Sequence, residues 1–346
     1  MVLTGLRAME MRVVPDPKLE RDADVLLRVE RVGVCGSDVH YYRDGRIGSQ
    51  IVRYPFAVGH ECSATVLRTG RGCRRVKAGD RVAIEPAMPC GACDQCRAGR
   101  RHTCRKLRFL GCPGQGEGCL SDLMVMPEEC CFPIPPDMTL EQAALVEPLS
   151  IGMYSVKLSI PIKGARIAVL GCGPIGLCAL LPALAQGADR VYVTDRIDAR
   201  LGVARRAGAA WTGNPDREDV VAAIAGREPL LLDAVFECCG QQAALDQAVE
   251  LLKPGGRLVL VGIPTADRVS FAMDLLRRKE ICLQNIRRQN ECIQPALDFL
   301  AAEKDKVSFM VTHRFPFERT KEAFDLVDEY RDGVVKAMIE MTGERT

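Results

Sequence analysis

Short apolar runs broken by turn residues open the chain, and buried-strand patterns alternating with helical ones fill its second half. Residues 25–29 and 80–84 are brief β-branched runs between turn signals, which predicts strands. The first 150 residues share this texture and read as an irregular β-rich region with long loops. Near Gly152 the pattern changes. Apolar runs over 166–170, 190–194, 232–237 and 257–261 predict strands, and helical patterns over 174–186, 199–207 and 242–252 predict helices. That alternation predicts a parallel, doubly wound sheet with helices on its faces, an α/β fold. Pro182 falls inside the first of those helices and predicts a kink or an early stop. A helix over 318–330 and a strand over 334–340 follow near the end. Periodicity leaves open whether they rejoin the first region or extend the second.

At 346 residues the chain is larger than a single core usually grows, so two domains are expected. The formal net charge of +2 gives no reason to expect a nucleic-acid or anionic-membrane partner. No apolar run is long enough to span a bilayer. Residues 1–24 lack an apolar core followed by a small-residue cleavage site, so a cytoplasmic chain is expected. Its 17 cysteines are an odd number and include the adjacent pairs Cys130/Cys131 and Cys238/Cys239, a poor disulfide framework. In a reducing compartment, regularly spaced cysteines are better read as metal ligands. Cys172, Cys178, Cys282 and Cys292 sit in apolar or mixed surroundings and read as small hydrophobes.

Gly171-Cys172-Gly173-Pro174-Ile175-Gly176 matches the dinucleotide fingerprint in the required context, directly after a predicted strand and opening a helix. Gly171 permits the tight turn, Gly173 lets the backbone approach a diphosphate, and Gly176 allows close packing of helix on strand. Asp195 ends the next strand, where a carboxylate accepts bonds from ribose hydroxyls and repels a 2′-phosphate. NAD is therefore expected over NADP, with Arg196 able to blunt the preference. Cys90, Cys93, Cys96 and Cys104 have the spacing C-x2-C-x2-C-x7-C, which suits a closed structural zinc site. An iron–sulfur cluster is the competing reading. His102, in the same loop, reads as an exposed polar residue. Cys35, His60 and Glu61 supply three strong ligands and leave a fourth position open, as in a catalytic zinc site. Glu147 is a further carboxylate able to ligate or to bridge through water.

Together these features resemble the zinc-containing medium-chain dehydrogenase/reductase family, in its sorbitol and xylitol dehydrogenase branch. The most specific parts are Gly33-Val34-Cys35-Gly36-Ser37-Asp38-Val39-His40-Tyr41, Gly45-Arg46-Ile47-Gly48, Gly59-His60-Glu61, Gly79-Asp80-Arg81-Val82-Ala83-Ile84-Glu85-Pro86 and Glu147-Pro148-Leu149-Ser150-Ile151-Gly152. The resemblance implies a GroES-like catalytic domain over 1–151, a Rossmann NAD-binding domain over 152–285, and a return to the catalytic domain over 286–346. It implies two zinc ions per subunit and a homo-oligomer, tetramer or dimer. Residue by residue, it implies Cys35, His60 and Glu61 as catalytic zinc ligands and Asp38 as the carboxylate orienting the imidazole. Ser37 and His40 match a proton relay. Tyr41, Glu147 and Arg287 match positions lining the substrate pocket. Ile175, Asp195, Arg200, Val261, Gly262 and Ile263 match cofactor contacts. Two departures stand out: Ala64 replaces a usual glycine, and Arg288 stands where sorbitol dehydrogenases often have tyrosine.

The implied reaction is hydride transfer from a secondary hydroxyl of a small polyol to NAD. The competing enzyme readings are threonine, butanediol and sugar-acid dehydrogenases. From other classes come a non-catalytic NAD-binding regulator and a cysteine redox switch. The intact set Cys35, Ser37, His60 and Glu61 argues against a pure sensor, which needs no open metal position.

Overall fold

The computed structural model describes residues 1–341. The chain forms two compact units, Met1–Glu147 joined by the chain from Ile293 onward, and Pro148–Cys292. The boundaries at 147/148 and 292/293 compare with 151/152 and 285/286 expected above.

A seven-stranded sheet organises the first unit. Its longest strand, Asp24–Gly33, pairs antiparallel with Glu61–Thr69, with Lys336–Glu340 and with Leu123–Pro127. Arg81–Ile84 and Cys131–Pro133 continue the sheet on the Glu61–Thr69 side. Val311–Pro316 ends it on the other side, parallel to Lys336–Glu340. The end of the chain therefore hydrogen-bonds into the first unit's sheet, the point that periodicity left open. Val25, Leu27 and Val29 alternate into the core with no exposure, while Arg28 points outward. Each such buried aliphatic side chain contributes roughly 1.5–3 kcal/mol. Asp24–Gly33 is twice as long as the five-residue run its apolar pattern predicts, because charged Glu30 and Arg31 break that pattern while the pairing resumes past an irregularity at Glu30.

The second unit holds six parallel strands. Their order is Trp211–Gly213, Arg190–Thr194, Arg166–Leu170, Leu232–Glu237, Leu252–Leu260, Cys282–Asn285. Counted along the chain this is 3-2-1-4-5-6, the doubly wound order that reverses between the first and fourth strands. Ile167, Ala168, Val169 and Leu170 have no exposure, as expected where helices cover both faces. The helix Pro174–Ala185 continues through Pro182 rather than stopping early. Pro182 has no N–H to give the Cys178 carbonyl four residues back. Gly152 packs against that carbonyl so closely that a Cβ would collide with it. Cys282, expected among small buried hydrophobes, is exposed on the edge strand of the sheet. Among the described residues no helix is long and apolar enough to cross a membrane.

Candidate functional site

Cys35 is the N-cap of the helix Gly36–Asp44 and follows the long strand after a single residue, Val34. Gly45 ends the helix in a left-handed conformation (φ 68°), its N–H bonding the Tyr41 carbonyl. Asp38 lies in the first turn, where the helix dipole favours an anion. The Asp38 Oδ1 accepts the Gly59 N–H at 3.2 Å, and its Oδ2 lies 3.3 Å from His60 Nδ1. That contact leaves His60 Nε2 as the free ligand atom, the usual arrangement at a metal. Burial opposes charging the imidazole, but Asp38 and Cys35 outweigh it and hold the His60 pKa well above the ordinary histidine range. The ring also lies 5.4 Å from that of Phe109.

Thiol, imidazole and carboxylate of Cys35, His60 and Glu61 converge with their ligand atoms within 4.8 Å of one another. A soft, a borderline and a hard donor together suit zinc, which takes all three types. His60 and Glu61 are buried while Cys35 is half-exposed, so the group is open on the thiol side. Ser37 donates its hydroxyl to the Cys35 sulfur at 3.3 Å. His40, one helical turn further, has Nδ1 3.2 Å from Asp44 Oδ2 and 3.1 Å from Arg43 Nη2. Arg43 holds the Asp44 carboxyl down to about 2 against its partial burial, with help from His40. Tyr41 donates to Gln50 Oε1 at 3.1 Å, and Gln50 Nε2 donates to the Cys112 sulfur at 2.8 Å. Glu147 is buried in the first turn of the helix Val146–Leu158, outside the 4.8 Å convergence. Arg287 is exposed just beyond the edge strand of the second unit.

The four-cysteine loop gathers its thiols as a second group within 4.8 Å. Cys93 and Cys96 sulfurs are 3.6 Å apart, and Cys93 and Cys104 sulfurs 3.9 Å. A tetrahedral site with zinc–sulfur bonds of about 2.3 Å has sulfur–sulfur edges of ~3.8 Å. Gly91 and Gly99 take left-handed conformations (φ 71° and 72°) that let so short a loop close. Backbone N–H groups of Arg105 and Cys96 pull the Cys93 thiol down to about 6, favouring the thiolate that a metal needs. His102 is buried, not exposed: the short 3-10 turn Arg101–Thr103 carries it inward.

In the second unit, Gly171 (φ 93°) turns the chain from the strand Arg166–Leu170 into the helix whose N-cap is Gly173. The Cα of Gly176 packs on the Gly171 carbonyl, leaving no room for a Cβ. Asp195 Oδ2 accepts the Cys172 N–H at 2.7 Å and Oδ1 accepts the Ile197 N–H at 2.8 Å. Its carboxylate is thereby fixed beside the glycine loop. Buried Arg200 brings its guanidinium within 3.4 Å of where a Cβ on Gly173 would stand. Arg196 is exposed and bonds Asp216 at 2.7 Å. Ile175, Val261 and Gly262 are half-buried and Ile263 is exposed. The N–H groups of Val261 and Gly262 both bond the Glu237 carbonyl at 2.9 Å. The Glu237 carboxylate accepts the N–H groups of Cys239 and Gly240 at 2.8 and 2.6 Å. Buried Glu237 thus ties the ends of two adjacent strands, and no sequence motif had marked it. Its signal was an acid directly after the apolar run Ala234-Val235-Phe236. Gln50, Cys112 and Lys336 also escaped the sequence reading. Lys336, fully buried in an apolar strand, donates to Glu61 Oε2 at 2.6 Å.

Residues 21–136 match the family model of the alcohol dehydrogenase GroES-like domain, and residues 174–302 that of the zinc-binding dehydrogenases. A sorbitol dehydrogenase of Bacillus subtilis (strain 168) is 33% identical over 98% of this chain and 96% of its own. An L-idonate 5-dehydrogenase of Vitis vinifera is 32% identical over 93% and 89%. Among solved structures, an Escherichia coli oxidoreductase of unknown specificity involved in membrane biogenesis superimposes with a TM-score of 0.92 at 30% identity, covering 99% of this chain and 98% of that one. A protein this similar to those relatives over nearly its whole length, with both family domains in order, a dinucleotide loop in one unit and two clusters of side chains able to hold a metal in the other, belongs to the zinc-containing medium-chain dehydrogenase/reductase family.

Proposed function

We propose that the enzyme, an NAD- and zinc-dependent dehydrogenase, oxidises a secondary hydroxyl of a small polyol of the sorbitol or xylitol kind. The observation that carries the reading is the convergence of Cys35, His60 and Glu61. A carboxylate in place of a second thiolate makes the centre harder and more hospitable to a polyhydroxylated ligand. The sorbitol dehydrogenase relative supports the same substrate class.

Cys35, His60 and Glu61 would hold a zinc that would supply Lewis acidity toward the substrate oxygen, and a bound NAD would be the hydride acceptor. Asp38 keeps the His60 ring in one orientation through Nδ1. Ser37 takes the proton of the substrate hydroxyl and His40 passes it outward. Asp44, its carboxyl held low by Arg43, lies beside the His40 ring nitrogen and holds the ring in place. Glu147 orders the water or hydroxyl nearest the metal. Tyr41, held by Gln50, and Arg287 recognise hydroxyls further along the substrate. Gly171, Gly173, Ile175, Gly176 and Arg200 seat the diphosphate, Asp195 the adenosine ribose, and Val261, Gly262 and Ile263 the nicotinamide side. Cys90, Cys93, Cys96 and Cys104 hold a structural zinc. The catalytic domain is formed by residues 1–151 and 286–346, the cofactor domain by 152–285, and the working form is a cytoplasmic homo-oligomer, a tetramer in this account.

A sugar acid is the second reading, favoured by the L-idonate dehydrogenase relative and by the adjacent cations Arg287 and Arg288. Following NADH absorbance across sorbitol, xylitol, idonate, 2,3-butanediol, threonine and ethanol separates the readings. The polyols are expected to have the highest kcat/KM. Ethanol should fare worst, because buried polar groups built for hydroxyls would be left unpaired. Equal turnover of ethanol and the best polyol would rule the assignment out.

A further inference from the structure

Lys336 is 1% exposed, although it carries a charge. Its ammonium donates to Glu61 Oε2 at 2.6 Å and to the Val34 carbonyl at 3.1 Å. Val34 immediately precedes Cys35 in the chain. One cation therefore braces two of the three groups that converge at the metal site: Glu61 through its carboxylate, and Cys35 through the peptide that leads into it. The route between them depends on Gly33. In the sheet Gly33 stands opposite Glu61 on one side and Met338 on the other. Having no side chain, it leaves the space the Glu61 carboxylate occupies; a Cβ there would land on Oε2. Glu61 and Lys336 thus meet across the central strand at the one position where that strand presents nothing between them.

We propose that Lys336 is a positioning residue for the catalytic zinc: by holding Glu61 Oε2 it leaves Oε1 as the single oxygen available to the metal. This rests on the assignment of Cys35, His60 and Glu61 as zinc ligands. The physical argument has two parts. An ammonium on one carboxylate oxygen restricts the group to one-oxygen ligation and fixes its direction, as hydrogen-bonding partners behind metal ligands do. Charge also matters. The Cys35 thiolate, the Glu61 carboxylate and the buried Asp38 carboxylate behind His60 carry three negative charges, which a divalent zinc and Lys336 together balance. A buried ion pair alone is weak evidence of stabilisation, so stability is not the property that tests the role.

The experiment uses the full chain as the holoenzyme and compares Lys336→Met, Lys336→Arg and Gly33→Ala with the unchanged protein. The readouts are zinc content, the rate of zinc transfer to a coloured chelator, and the visible absorption of the cobalt-substituted enzyme. The four-cysteine site is the internal control. Lys336→Met is expected to release the catalytic zinc ~10–100-fold faster, with displaced cobalt bands, while the four-cysteine zinc leaves at its usual rate. Gly33→Ala, which pushes Glu61 off its seat and leaves the lysine intact, should do the same. It also carries the test if Lys336→Met does not fold. Lys336→Arg, which keeps the cation, should recover most of the retention. Unchanged zinc release and cobalt spectra in Lys336→Met and Gly33→Ala, whatever their melting temperatures, would overturn the proposal. If the unchanged protein held zinc only in the four-cysteine loop, the ligand assignment would itself fail and the role of Lys336 with it.

Discussion

At the scale of single residues, Asp195 has the sharpest consequence. Two backbone N–H groups pin its carboxylate beside the glycine loop, where a 2′-phosphate would meet a fixed negative charge. Asp195→Ala should weaken NAD binding about tenfold and raise relative activity with NADP, as measured by kcat/KM for the two cofactors. Arg196 is engaged by Asp216, so the gain with NADP should grow when Asp216 is also replaced by alanine. An unchanged enzyme that prefers NADP would contradict the role given to Asp195. Residues of this kind were legible because a motif fixed their place: a strand, three glycines, then an acid at the end of the next strand. Lys336, Gln50 and Cys112 were not. Each meets its partner only through pairing of distant segments, Lys336 with Glu61 across 275 residues and Gln50 with Cys112 across 62. His102 was misjudged because polarity suggested exposure, while local backbone turned it inward.

At the scale of elements, the four-cysteine loop is the piece with least core of its own. Its one α-helical turn, Asp94–Arg97, has no buried residue, so a metal is the natural source of its order. Cys96→Ser should therefore lower the melting temperature by several degrees, measured by calorimetry, with a smaller effect on kcat in the molecules that stay folded. Loss of turnover at full stability would mean that the loop takes part in the chemistry. Strands of the second unit were the most legible elements. Arg166–Leu170, Arg190–Thr194 and Leu232–Glu237 occupy the spans their apolar runs predicted, because a strand buried on both faces is apolar along its middle, with charged residues kept near its ends. The helix Gly36–Asp44 went unread for the opposite reason. Its short length, mixed polarity and glycine start carry no period, and its residues Ser37, Asp38, His40 and Tyr41 drew notice only as relay, orienting and pocket positions, not as a helix. The early stop allowed for at Pro182 does not occur: the helix runs on to Ala185, with Gly152 packed closely on the Cys178 carbonyl four residues back.

At the scale of the whole molecule, each chain should hold two zinc ions in chemically different settings. Metal analysis of active protein should return two zincs and no iron, and iron with a visible charge-transfer band would instead favour a cluster in the cysteine loop. The open site admits a competing ligand and the closed one does not. A chelator should therefore abolish activity well before it changes circular dichroism, and added zinc should restore the activity. Simultaneous loss of activity and structure would show that the two sites are not distinct in this way. Beneath both sites lies one central claim, that the enzyme moves a hydride from a secondary carbinol carbon to NAD. The most direct measurement is to supply xylitol deuterated at its secondary carbons and to analyse the reduced cofactor by mass spectrometry and NMR. One deuterium is expected at C4 of the nicotinamide, with a ketose as the other product. Reduced cofactor carrying only protium, or an aldehyde formed from a terminal carbon, would contradict it.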